Sequence, residues 1–295
     1  MTVTRSTKQA WECQIPFRKG GLIMQTSRQS CFISTICVAI LAVVSIAAAQ
    51  SPNPHQELAL GRQALAQGKY DEAIQHFENI NSVVQMNVIL ELDLAGAFAQ
   101  KYLAGVDDAD NEKVADKAID YYQRVIEGDT SITASESAEK GIAFLDAHMN
   151  KFDEAKEHYD KAKKLNPEDP EPFYFTAVID WTLSNQFRQQ ERTKLKLKPE
   201  DSLAAEHHEV CQAVKDKNAS NLAEALDNLN KALDLDPKYE DAINYMNLIY
   251  IERADVECDD PGARKSDLKA ADEWAQKLIV VKRTKAAHPQ KDGDQ

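Results

Sequence analysis

From Lys151 to Pro167 the chain reads KFDEAKEHYDKAKKLNP. Ala155, Tyr159 and Ala162 fall at i, i+4 and i+7, one stripe of a helix whose other faces are charged. Small residues at both ends of the stripe let a second helix approach closely, and the aromatic between them fills the gap. Asn166 and Pro167 stop the helix, because proline supplies no N–H and clashes with the preceding turn. The spacing returns in NLAEALDNLNKALDLDP, with Ala225, Leu229, Ala232 and Pro237. An earlier copy, GKYDEAIQHFENI, carries Gly68, Tyr70, Ala73, Phe77 and Ile80. No apolar–polar alternation bounded by turn residues appears, so the pattern predicts an all-α chain.

Laid end to end, the stripes predict helical pairs near 54–87, 88–131, 136–169, 170–200, 201–239 and 240–282. In the first pair Gly61 and Ala64 sit where two helices cross, and Gly68 makes the turn. The second carries Ala95, Phe98, Ala118, Tyr122 and Val125, and is lengthened by GVDDADNEK. That acidic stretch lacks the alternating ligands, central Gly and closing Glu of a calcium loop, and reads as a solvated extension. The third is the most regular, with Ala143, Phe152, Ala155, Tyr159, Ala162 and Pro167. Ala155 and Ala225 are 70 residues apart, close to two periods, so two pairs are expected between them. NQF at 185–187 echoes NKF at 150–152 and marks the expected turn of a degenerate fourth pair; the fifth pairs SLAAEHHEVCQAVKDK with NLAEALDNLNKALDLDP, with a break at 218–220. The alternative treats 185–219 as an insertion within one pair. After the break DDPG, Ala270 and Trp274 mark the last helix, and the polar residues 285–295 read as a disordered tail.

The recurring unit resembles the second helix of the tetratricopeptide repeat, a helix–turn–helix of about 34 residues. The resemblance implies a right-handed superhelical solenoid of about five to six units, each packed only on its neighbours. It also implies a concave groove, lined by first helices, that receives a peptide or a partner helix. Motif positions map onto Leu58, Arg62 and Leu65, then Leu92 and Gly96, then Lys140 and Phe144, then Tyr174, Val178 and Trp181, and finally Leu248 and Ile251. Relatives that grip a carboxyl terminus use paired lysines and asparagines here. This chain offers only Arg62 and Lys140, without the asparagines, which departs from that pattern. An apolar and aromatic centre suits the apolar face of a helix or extended segment; the alternative is that these side chains are core. The resemblance implies a non-catalytic scaffold whose partner is another protein.

Charge narrows the partner. The 295 residues carry a formal net charge of −13; without residues 1–49 the remainder holds 30 basic and 47 acidic side chains. A nucleic-acid binder needs a basic face to displace counterions, so nucleic acid is not expected. Phe32 to Ala49 is an uncharged apolar run behind Arg28, ending in Ala47 and Ala49. It reads as a secretory signal peptide cleaved before Gln50, with translation starting at Met24. The expected location is the periplasm or outside the cell; the alternative is an inner-membrane anchor through 32–49, which makes the chain a tethered assembly factor.

Chemistry is sparse. No nucleophile elbow, phosphate loop or zinc-protease helix occurs, so no catalytic residue or cofactor is expected. A remote alternative is an enzyme whose site is assembled from scattered residues. His207 and Cys211 share a helical face, too few ligands for zinc, and no metal is expected. Asn218-Ala219-Ser220 matches a glycosylation acceptor. Two cysteines follow the leader, Cys211 and Cys258, and an oxidising compartment permits a bond between them. In repeat register they lie about twelve positions apart along neighbouring first helices, roughly 18 Å. The register argues against a disulfide but leaves Cys211–Cys258 as a possible one, closed only by a chain that doubles back after Asp255.

Overall fold

The computed structural model describes residues 53–81, 87–128, 131–198, 201, 203 and 207–287. Residues 1–49, the expected signal peptide, and residues 288–295 lie outside them. Five antiparallel helical hairpins follow one another: α1 (Pro54–Ala66) with α2 (Tyr70–Asn81), α3 (Val88–Lys101) with α4 (Ala109–Glu127), α5 (Ile132–His148) with α6 (Phe152–Leu165), α7 (Pro170–Lys194) with α8 (His208–Leu235), and α9 (Glu240–Asp255) with α10 (Pro261–Ala287). Each hairpin packs chiefly on the next, the nearest-neighbour order of a solenoid. No strand occurs among the described residues.

The stripe residues explain the stacking. Ala73, Ala118, Ala143, Ala155, Ala162, Ala225 and Ala232 have no exposed surface, so helices meet there at closest approach. Phe77, Tyr122, Tyr159 and Leu229 fill the space between, each buried side chain contributing roughly 1.5–3 kcal/mol. Gly61 lies against the Phe77 ring, where an added Cβ would sit 2.7 Å from Cδ1. The crossing therefore requires a residue without a side chain.

Turns share one device. Gly68 has φ 71°, and the Lys69 N–H donates back to Ala64 O at 3.0 Å. Asn150 (φ 60°) repeats it, with Lys151 N–H on Asp146 O at 2.8 Å. These left-handed residues end a helix and satisfy its last carbonyls. The acidic insertion of the second hairpin is a cap: Asp108 Oδ1 accepts from Asp110 N–H at 3.0 Å and Asn111 N–H at 2.9 Å, starting α4.

Three expectations are corrected. Residues 170–200 and 201–239 do not form two units; α7 and α8, of 25 and 28 residues, make one long hairpin. Asn185 does not repeat the turn of Asn150. It stays helical and accepts from Arg188 Nη2 at 2.9 Å, and the left-handed turn falls instead at Lys196 (φ 56°). Asn218, an apparent break, is buried at the crossing and its amide donates to Ser184 O at 2.9 Å, so α8 runs straight through. That bond also occupies the group a glycan would need. Second, the register argument fails: the possible bond between Cys211 and Cys258 is present, with Cα atoms 5.9 Å apart. The chain turns back after Asp255, and this brings Cys258 to the start of α8. Third, Lys285 to Ala287 belong to α10 rather than to a tail.

Candidate functional site

First helices α1, α3, α5, α7 and α9 line one face, but its two halves differ. At the amino-terminal half Leu58 and Leu65 are half-buried against the core. On α3, Ile89 is 57% exposed, Leu92 half-buried, and Gly96 faces open space with nothing within 4 Å of a Cβ position. Facing them across the hairpin boundary are Thr133, Ala134 and Ser137 of α5. Val88, Ile89 and Leu92 of α3 with Ser131, Thr133, Ala134 and Ser137 line an open cleft of about 480 Å³; Gly96 lies outside it. Ile89 belongs to the stripe of Leu92 and Gly96, at i, i+3 and i+7; Ile89 and the α5 residues escaped the sequence reading. Only the stacking of α5 on α3 makes them neighbours.

Basic groove residues are already engaged. Arg62 Nε donates to Asp93 Oδ2 at 2.9 Å. Lys140 Nζ donates to Asp169 Oδ2 at 2.7 Å and Glu171 Oε2 at 2.8 Å, with Glu136 Oε1 at 3.6 Å. Burial opposes its charge, but the two carboxylates hold its proton and raise its pKa. Neither cation is left over for a partner's carboxylate. Phe144 is 38% exposed and leans on the His148 ring, 4.0 Å between centroids.

The carboxyl-terminal half is filled by the chain itself, which corrects the expected aromatic groove centre. Tyr174 and Val178 are core, 4% and 3% exposed. Tyr174 packs on Tyr239 and Tyr245, and Trp181 meets Tyr245 edge-on at 5.3 Å. The cause is the neighbouring first helix α9, whose Tyr245, with Tyr239 just before it, packs on α7. Leu248 is half-buried, and Ile251, 43% exposed, remains at the rim.

Below the aromatics a charged seam joins the same helices. Arg188 and Arg192 donate to Asp255 Oδ2 at 2.8 and 2.9 Å, and Arg192 also to the Lys198 and Asp201 carbonyls at 2.6 and 2.9 Å. Glu252, 1% exposed, has neither oxygen in a hydrogen bond; Arg188 Nε stands 3.4 Å away. Burial pushes its pKa up to about 7 despite Arg188. Among the described residues no group of three His, Cys, Asp or Glu is placed to hold a metal. Cys211, the apparent partner of His207, is committed to its disulfide. No described helix is long and apolar enough to cross a membrane.

Comparison with known families matches residues 143–169, the end of α5 with α6, to a tetratricopeptide repeat. No curated protein matches the chain. Among solved structures, a MamA RS-1 double mutant is similar at 12% identity, over 81% of this chain and 99% of that one, with a TM-score of 0.50. MamA from Desulfovibrio magneticus RS-1 is similar at 12% identity over 83% and 100%, TM-score 0.48. A further MamA structure is similar at 14% identity over 82% and 98%, TM-score 0.47. At 12% identity the first of these shows a likeness of fold alone.

Proposed function

We propose that the chain is a non-catalytic scaffold that binds another protein outside the cytoplasm. It takes an apolar segment, as a helix or an extended peptide, in the amino-terminal half of its concave face. The observation that carries this reading is the open apolar cleft between α3 and α5, lined by Val88, Ile89, Leu92 and Ala134, whereas Tyr174 and Val178 farther along the face are buried. A groove of this kind recognises apolar anchors at helical or extended spacing. Two features support export: the signal-peptide pattern of residues 32–49 and the Cys211–Cys258 bond, which persists in oxidising compartments.

A photo-crosslinking residue at Leu92, compared with one at exposed Asp120 on α4, tests the site in living cells. Discrete adducts are expected at 92, lost when Ile89→Asp is added. Equal labelling at 120, or adducts indifferent to Ile89→Asp, would move the binding surface elsewhere. Mass measurement of the mature amino terminus tests the location, with Gln50 as the expected first residue.

A further inference from the structure

The last helix carries a charge opposite to the rest. Residues 50–276 hold 25 basic and 45 acidic side chains, a net −20, whereas 277–287 hold four basic and no acidic ones. Those four are Lys277, Lys282, Arg283 and Lys285. In the antiparallel pair Asn247 of α9 reaches the Ala271 carbonyl of α10. Counting seven residues each way sets Glu240, the first residue of α9, level with Leu278. Residues 279–287 therefore run past their partner helix, by about 13 Å.

This projecting end is apolar as well as basic. Val280 is 60% and Ile279 40% exposed, and on the helical wheel they flank Arg283 on the side turned away from α9. Trp274, Leu278 and Val281 form the half-buried inner side. Lys277 lies over the Trp274 ring at 4.4 Å, and Lys285 is tied to Glu240 at 3.0 Å. Lys282 and Arg283 are exposed, and no ion pair among the described residues engages them.

We propose that this end of α10 docks on a bilayer rich in anionic phospholipid. Exposed β-branched apolar side chains beside lysine and arginine are what an interfacial helix needs: apolar atoms enter the acyl boundary while cations meet phosphates. An acidic protein face would match the charges but leave Ile279 and Val280 without a role. The net −20 of the preceding residues is repelled by the same surface, so contact is confined to the end of α10. Screening over about 8 Å at physiological salt keeps that repulsion from reaching the tip.

Vesicle co-sedimentation of the mature chain decides it. Binding is expected to phosphatidylglycerol-containing vesicles and not to pure phosphatidylcholine, weakening as salt rises. Lys282→Glu with Arg283→Glu is expected to weaken it by about tenfold or more. Val280→Ser, which keeps the charge, is expected to weaken it less. A matched control, Lys161→Glu with Lys164→Glu on exposed α6 positions, makes the same change in net charge and is expected to bind more tightly than the α10 double variant. Circular dichroism confirms that each variant is folded. No binding to the anionic vesicles, or equal loss in the control, overturns the proposal. Binding of soluble poly-glutamate in place of vesicles overturns it in favour of an acidic protein face.

Discussion

Replacing Glu252 by Gln should stabilise the protein above neutral pH and do almost nothing in mild acid. The wild-type carboxyl is 1% exposed between α7 and α9, with its oxygens in no hydrogen bond. Arg188 and Arg192, the cations that face it from α7, are held by Asp255. On the side of α10, Asp267 is engaged by Arg253, and near the disulfide Lys215 is engaged by Glu257. Burial therefore raises the Glu252 pKa from 4.5 to about 7. A carboxyl whose folded pKa is raised contributes stability that is fully present below the unfolded pKa, and loses it as pH rises through the folded one. At about 1.4 kcal/mol per unit, the loss between pH 4.5 and 8 is of order 3 kcal/mol. Glutamine keeps the shape, never ionises, and so escapes it. Urea unfolding of both proteins from pH 4.5 to 8 should show a difference that opens from near zero and flattens above neutrality. A pH-independent difference, or a variant weaker at pH 8, would mean that ionised Glu252 is well paired with Arg188 and that burial is not its dominant cost.

Two further outcomes follow from the packing. Cys258→Ser opens a loop spanning 47 residues of sequence separation, and should destabilise the oxidised protein by up to about 4 kcal/mol; melting with and without reductant checks it, and the variant should be indifferent to reductant. Trp181→Ala removes the edge contact with Tyr245 and should cost about 3 kcal/mol or more, as truncation of a packed aromatic does; an unchanged melt would return Trp181 to the groove.

Much of the architecture was legible because hairpin packing writes a local signature. A small residue every turn of the crossing and an aromatic between them suffice to locate α1 to α6. The long fourth hairpin was not legible, since Asn185 and Asn218 look like breaks when read one by one. Each is held helical by side-chain bonds, Asn185 to Arg188 within α7 and Asn218 across to Ser184. Spacing alone cannot reveal the second partner. The same limit hid the disulfide: register along first helices is a one-dimensional measure, and the return of the chain after Asp255 is a three-dimensional event. The groove was half legible. Periodicity selects the residues that share a face, as with Leu92 and Gly96, but which faces are covered depends on how the following hairpin stacks. Tyr174 and Val178 carry no sign in sequence that α9 will lie on them.

The bond between Cys211 and Cys258 also divides the molecule mechanically. When the chain is pulled by its ends, the load passes from α7 through the start of α8 directly across the sulfur–sulfur link into α10. Nearly all of α8 and all of α9 lie inside the bypassed stretch. With a sequence separation of 47 residues, about 160 Å of contour length is withheld from extension. An anchored or tethered copy under tension would lengthen from the helices outside the link, the amino-terminal hairpins and their open cleft among them. The covalently bypassed block would stay shut.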